Sequence, residues 1–327
     1  MWSNRKPIRI YIALLPAMLW LLFNIPIQAV LVPSTIITEP ANDSISLFVL
    51  GNVQDGGSPH IGCNKKCCIG LFDHPDSNRL VVSLGIADHR NNLSWIIEAS
   101  PDFSRQVQML SRELSKPNLL PDGILLTHAH IGHYTGLMYL GREAMNSKGL
   151  PVYTQPRMKQ FLETNGPWSQ LVRLNNIKLV NPDSMVNLTQ HLRIKAISVP
   201  HRDEYSETVA YWIEGPSKKV LFVPDIDKWE KWDQEIRKLI AQADYAFLDG
   251  TFYHAAEVGH RDIKEIPHPF ITESLVYFNE LSAIDKNKIY FIHLNHTNPV
   301  LDPLSPESLE VERQGYHIAR KGMKFDL

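Results

Sequence analysis

Cysteine is scarce. The 327-residue chain holds 3, at Cys63, Cys67 and Cys68, crowded into one short window. So few thiols exclude a disulfide-built fold, and an odd count leaves at least one without an internal partner. Charge of one sign is scarce as well: 33 Lys and Arg face 35 Asp and Glu, and no like-charge block follows the N-terminus. That balance gives no footprint for a nucleic-acid partner and points to a small-molecule substrate. Repeats and low-complexity segments are lacking too, which excludes solenoids and long linkers. With 44% apolar residues the chain can bury a large core.

One long uncharged run does exist, from Ile10 to Val32, behind Arg5, Lys6 and Arg9. A basic start followed by an apolar run predicts an export signal or a membrane anchor over residues 1–35, and hence a periplasmic, extracellular or anchored protein. Pro16, Asn24 and Pro26 interrupt the run, and the sequence does not decide between a cleaved and an uncleaved segment. Residues 36–327 then form one domain.

Within that domain strands and helices alternate. Strands are expected at 45–52, 79–86, 94–100, 123–130, 150–154, 191–201, 244–252 and 288–299, with a hairpin over 208–225. Helices are expected from an Asp102 cap to Leu114, over His133–Asn146, near 156–164, over 228–242 and over 271–282. Trp229 and Trp232 then mark one face of an amphipathic helix, and the C-terminus supplies an edge strand.

Metal-capable side chains recur where these strands end: His128 and His130, His201, Asp225, then His293 and His296. Alternate residues on a strand share a side, so His128 and His130 can grip one ion as the strand leaves the sheet. His133 falls on the first turn of the next helix and faces the same cavity. Imidazole and carboxylate suit zinc, iron or manganese, and three protein ligands leave a position for water.

In order, THAHIGH, PH at 200–201, PD at 224–225 and HLNH at 293–296 resemble the metallo-β-lactamase superfamily. LGNVQDGGSPHIGCNKKCC, IIEASPDF, FLDGTF, GH at 259–260 and HLNHTNP resemble more closely its branch of pyrroloquinoline quinone biosynthesis protein B and phosphodiesterase-like proteins. The resemblance implies an α/β fold, an αββα sandwich, with one or two metal ions at one edge of its sheets. It assigns His128, His130 and His201 to a first ion, makes Asp225 a bridge, and gives a second ion His133 with His293 or His296, His293 being preferred because it directly follows the strand. It also favours His260 as a pocket residue.

Gly132 departs from this pattern, for the superfamily carries an aspartate there. Its loss predicts a weaker second site with one less negative charge, and a Gly132→Asp exchange is expected to raise occupancy. A substitute base is sought among Asp203, Glu204 and Asp249, with Asp249 preferred because it ends a strand. Asp225, His133 and Asp249 are thus the catalytic candidates. The relatives' cysteine loop implies a structural zinc on Cys63, Cys67 and Cys68, with His60 or His74 as fourth ligand; a local disulfide competes. The expected function is an exported hydrolase of an ester or phosphodiester using zinc, with iron or manganese as other ions. A biosynthesis protein B-like oxidoreductase or carrier, and a silent metal-binding protein, are the alternatives.

Overall fold

A computed structural model describes residues 44–114, 120–181, 185–232, 235–259 and 266–327. The expected export segment and His260 lie outside the described residues. Two seven-stranded sheets dominate what is described. The first has the order β14 (Lys324–Asp326), β1 (Ile45–Gly51), β2 (Ser83–Asp88), β3 (Leu93–Ile97), β4 (Gly123–Leu125), β5 (Leu150–Tyr153) and β6 (Ile177–Val180). The second runs β13 (His317–Ile318), β12 (Ile289–Ile292), β11 (Tyr245–Asp249), β10 (Lys219–Val223), β9 (Val209–Glu214), β8 (Arg193–Ser198) and β7 (Val186–Asn187). Each is mixed: β3 to β6 and β10 to β13 pair in parallel, and the remaining neighbours antiparallel.

Side-chain alternation divides each central strand between two cores. Ile45, Leu47 and Val49 of β1 meet Ile213, Phe222 and Phe247 of the facing sheet, while Phe48 and Leu50 turn outward. In β10, Val220 and Phe222 point inward, and Leu221 and Val223 outward. Strands covered on both faces need apolar residues at every position, hence the uninterrupted runs in the sequence. Outside the first sheet pack α1 (Phe103–Ser111), α3 (Pro156–Thr164) and α4 (Trp168–Arg173), through Phe103, Leu110, Met158, Leu162 and Leu171. Outside the second pack α5 (Ile236–Gln242), α6 (Ile271–Tyr277) and α8 (Pro306–Arg313), through Ile236, Ile240, Ile271, Leu275 and Val311. This is the expected αββα sandwich.

The expected helices over 102–114 and 271–282 end early, at Ser111 and Tyr277, and two others depart further. The helix over His133–Asn146 is only α2 (Ile131–Tyr134), followed by a 3-10 turn at Thr135–Leu140. Its carbonyls are diverted: His133 O accepts from the Ala99 N–H at 2.9 Å, and the Gly136 N–H donates to Ala99 O at 2.8 Å. A strand end thus takes hydrogen bonds that a longer helix would need. The helix over 228–242 is a 3-10 turn at Trp229–Lys231 and then α5; α7 (Ala283–Lys286) adds a turn before β12. Trp229 and Trp232 form no amphipathic face. Both are buried, their indole N–H groups donating to Ser274 Oγ at 2.9 Å and Ser198 O at 2.8 Å. Asp102 stands at the N-cap of α1 as expected, but its side chain makes no capping bond, the carboxylate accepting from the Val81 N–H at 2.9 Å.

Phe222 is fully buried between the sheets. Phe222→Ala is expected to lower the unfolding free energy by about 3–5 kcal/mol in a denaturant titration. A loss under about 1 kcal/mol would contradict this packing.

Candidate metal centre

The strands deliver their terminal side chains to one edge of the sandwich. His128 and His130 follow β4, and His133 stands in α2. His201 follows β8, Asp225 follows β10, Asp249 ends β11 and His293 follows β12. Asp225 is the common neighbour. Its Oδ2 lies 3.3 Å from His128 Nε2, 3.4 Å from His133 Nε2 and 3.6 Å from His293 Nε2. Its Oδ1 lies 3.3 Å from His201 Nε2 and 3.2 Å from His268 Nδ1. His130 joins through Nδ1, 2.8 Å from His128 Nε2.

Three groups of ligand atoms share Asp225, with ligand atoms in each within 4.8 Å of one another. His128, His130, His201 and Asp225 form the first, and Asp55, His133, Asp225 and His293 the second. The third, Asp225, Asp249, His268 and His293, overlaps the others at Asp225 and His293. Asp55 comes from the DGG turn after β1; its Oδ1 is 3.0 Å from His133 Nε2 and 3.1 Å from His293 Nε2. Asp225 belongs to all three groups, at the position to which the resemblance gives a bridge.

The atoms that face the middle lack ordinary partners. His133 Nε2, His201 Nε2 and Asp225 Oδ1 are buried without a hydrogen bond, although charged groups stand close by. Such orphaned polar atoms are costly unless something else satisfies them. A divalent ion in each of the first two groups would do so, and neutral imidazole and carboxylate are a fitting donor set for zinc. The far nitrogens of four imidazoles meet oxygen. His128 Nδ1 is 2.9 Å from Thr127 Oγ1, His133 Nδ1 3.3 Å from Glu98 Oε1, His201 Nδ1 3.5 Å from Asp227 Oδ1, and His293 Nδ1 2.8 Å from Thr251 Oγ1. For His128 and His293 that contact is a hydrogen bond, which fixes the tautomer and raises the imidazole's basicity as a ligand, whereas His133 and His201 Nδ1 stand near their carboxylates without one. Glu98 and His293 hold φ of +75° and +63°, left-handed conformations costly for such residues, and both stand at the centre.

Burial acts on every group here. It pushes Asp225 upward, but the positive charges of His201, His293 and His268 outweigh it and hold the carboxyl well below its usual range. Asp55 follows the same pattern, with His133 and His293 opposing burial. Burial works against a charged His133, yet Asp55 and Glu98 raise it well above 6.5; His293 is raised by Asp225 and Asp55 against the same burial. His128 goes the other way, lowered by burial and by the neighbouring His133 charge.

Several sequence assignments change. The preferred His293 is not among them: it, rather than His296, stands beside Asp225. Asp249 is not placed as a base: its oxygens accept from the Ile226 N–H at 3.1 Å and from Thr251 N–H and Oγ1–H at 2.9 and 2.7 Å, with His268 Nδ1 at 2.9 Å. It orients His268 and the following turn. Asp203 is held by Arg157 at 2.9 Å on the surface, and Glu204 stands 3.5 Å from His130 Nε2. Asp55 and Glu98 were missed as members of the centre, and His268, expected to line the pocket or more readily to lie at the surface, is buried beside Asp225. Asp55 was legible only as a turn residue before two glycines, and Glu98 only as a strand-end acid.

His296 instead joins Cys63, Cys67 and Cys68, all four ligand atoms lying within 4.8 Å of one another. The three cysteines are free, with Cys63 Sγ and Cys67 Sγ 3.9 Å apart, so the alternative of a disulfide is not what the structure holds. His60 does not complete the set. Its ring stacks on His296 at 4.4 Å, and its backbone N–H donates to Cys68 Sγ at 3.3 Å. Burial pushes the Cys67 thiol up to about 12, whereas burial with the charges of His60 and Lys65 brings His296 down to about 4. A neutral imidazole beside three sulfurs matches a closed zinc site.

Fold and edge site together define a metallo-β-lactamase-type protein, and a family model described as "Beta-lactamase superfamily domain" matches residues 95–294. The chain belongs to that family. Its relatives are narrower in kind. Coenzyme PQQ synthesis protein B of Klebsiella pneumoniae (strain 342) is 28% identical over 311 residues, covering 85% of this chain and 97% of its own length. The protein of that name from Acinetobacter baylyi is 25% identical over 310 residues, covering 85% and 99%. In shape the chain is similar to Zn(2+)-bound PqqB from Methylobacterium extorquens, with a TM-score of 0.71 at 23% identity over 86% of this chain and 100% of that one. It is also similar to a diphosphatase from the PhnP family, with a TM-score of 0.61 at 18% identity over 86% and 97%.

The localisation expected from residues 1–35 is corrected. These relatives are named for coenzyme synthesis, which lends export no support. Among the described residues no helix is long and apolar enough to cross a membrane. Export, a signal peptide and an anchor are left without support.

His133, raised well above its ordinary value by Asp55 and Glu98, holds a proton that a metal ion has to displace, whereas lowered His128 does not. Zinc binding to the metal-free protein is therefore expected to release protons. Titration calorimetry in buffers of different ionisation enthalpy should count at least one, with affinity rising about tenfold per pH unit for each proton displaced. Binding without proton release would contradict these charge states. Cys67→Ala is expected to remove one zinc per chain and leave the centre around Asp225 loaded, by elemental analysis; unchanged zinc content would contradict the cysteine site.

Proposed function

We propose that the chain is a metal-dependent hydrolase of a small ester or phosphodiester, working where His128, His130, His201 and Asp225 converge. The observation that carries this reading is that convergence: four donor atoms at strand ends, three of the residues buried, and His130 alone partly open to solvent at 17% side-chain exposure. An ion held there supplies Lewis acidity and makes water a nucleophile near neutral pH. The remaining work belongs to the chain. His128, His130 and His201 bind, with Thr127 Oγ1 holding His128 in one tautomer, and Asp225 sets the spacing of the groups. Asp249 holds His268 against Asp225, where the imidazole can move a proton at Nδ1. Zinc fits the set best, and iron or manganese suit the same donors. Residues 36–327 are the domain that carries the site, and the near-neutral charge favours a small molecule over a nucleic acid.

A second reading is a role like that of coenzyme PQQ synthesis protein B. Identity of 28% spread over 85% of the chain favours it. A silent binding protein fits less well, because an unused centre gives no reason to keep so many orphaned buried donors together.

Purified, zinc-loaded protein assayed on a panel of phosphodiester, thioester and lactam substrates separates these readings. His201→Ala is expected to lower turnover of the accepted substrate at least about 100-fold, equivalent to roughly 3 kcal/mol in barrier. No hydrolysis across the panel, with oxygen consumption by the iron form, would favour the second reading.

A further inference from the structure

We propose that Asp55 is the carboxylate ligand of the second ion subsite, filling in space the place that Gly132 leaves vacant in sequence. The proposal rests on the metal-centre reading above and deepens it. Asp55 Oδ1 stands 3.0 Å from His133 Nε2 and 3.1 Å from His293 Nε2, so one oxygen reaches both imidazoles that a second ion would use. With Asp225 it brings two carboxylates to that group, and the deficit of one negative charge disappears.

Gly132 and Asp55 exclude each other's alternatives. A Cβ at position 132 would lie 2.4 Å from Asp55 Oδ1 and 2.6 Å from Asp55 Cα, the latter a backbone atom that cannot swing aside. A side chain at 132 and the DGG turn in its present position cannot coexist. Glycine at 132 is thus the space into which the carboxylate of another segment comes. Gly132→Asp, expected from sequence to strengthen the second site, should instead displace the ligand already there.

The turn is not placed by chance. The Leu294 N–H donates to Asn52 O at 2.7 Å and the Gln54 N–H to Leu294 O at 2.9 Å, so Asp55 is tied to the segment carrying His293. Behind it, His60 packs where a Cβ on Gly56 would meet its ring at 2.4 Å, which explains the first glycine of the DGG run. Asp55 also lies outside residues 95–294, the segment that the family model matches. A search confined to that segment sees the glycine and misses its replacement.

The test compares wild type, Asp55→Asn, Gly132→Ala and His128→Ala, each loaded with zinc, dialysed and counted by elemental analysis, with affinities from calorimetry. Asn keeps the size of Asp55, and Gly132→Ala acts from a separate element, so folding, checked by circular dichroism, need not fail in both. Asp55→Asn and Gly132→Ala are each expected to lose one ion per chain, or to bind it at least about tenfold more weakly, the lower end for perturbing a ligand environment. Unchanged stoichiometry and affinity in Asp55→Asn, with metal lost in His128→Ala, would overturn the role of Asp55 alone. Metal retained in His128→Ala would instead overturn the metal-centre reading itself.

Discussion

Everything at the edge of this sandwich depends on one buried carboxylate. Asp225 is 2% exposed and has a nitrogen of His128, His133, His201, His268 or His293 within 3.6 Å on every side described. A lone buried charge would be intolerable, and neutralising it requires partners arriving from several strands at once. Both sheets answer that demand, since β4 belongs to the first and β8, β10 and β12 to the second. The interlocked core between them, with Phe222 and Phe247 against Leu47 and Val49, fixes the sheets so that these ends meet.

The same turn that supplies His293 carries His296 three positions on, into the cysteine cluster. The DGG turn is also shared, for Asp55 faces the centre while His60, Cys63, Cys67 and Cys68 follow it. Two short segments therefore serve two sites. Their backbone is sewn together at Asn52, Gln54 and Leu294, which makes the cysteine cluster and the second ion subsite parts of one rigid corner.

Much of this was legible in the sequence. Apolar runs at 45–52, 123–130 and 288–299 signal strands covered on both faces, and histidines at fixed offsets from their ends signal a metal edge. The helix after His133 was overestimated, because nothing local shows that Ala99 would claim the His133 carbonyl and the Gly136 N–H. His296 was legible as a ligand but not its site, since three residues of turn separate two destinations. Asp55 stayed hidden for a related reason: position 132 shows a missing carboxylate, and its replacement lies 77 positions earlier, visible only once the chain is folded. Asp249, at a strand end like the true edge residues, was over-read, because hydrogen bonds from Ile226 and Thr251 engage both its oxygens.

The central claim is that two ions share Asp225. Anomalous diffraction at the zinc edge from crystals of the loaded protein tests it most directly. Two peaks flanking the Asp225 carboxylate are predicted, one within bonding distance of His128, His130 and His201, the other of Asp55, His133 and His293. No peak beside Asp225, with zinc found only at the cysteines, would contradict the account.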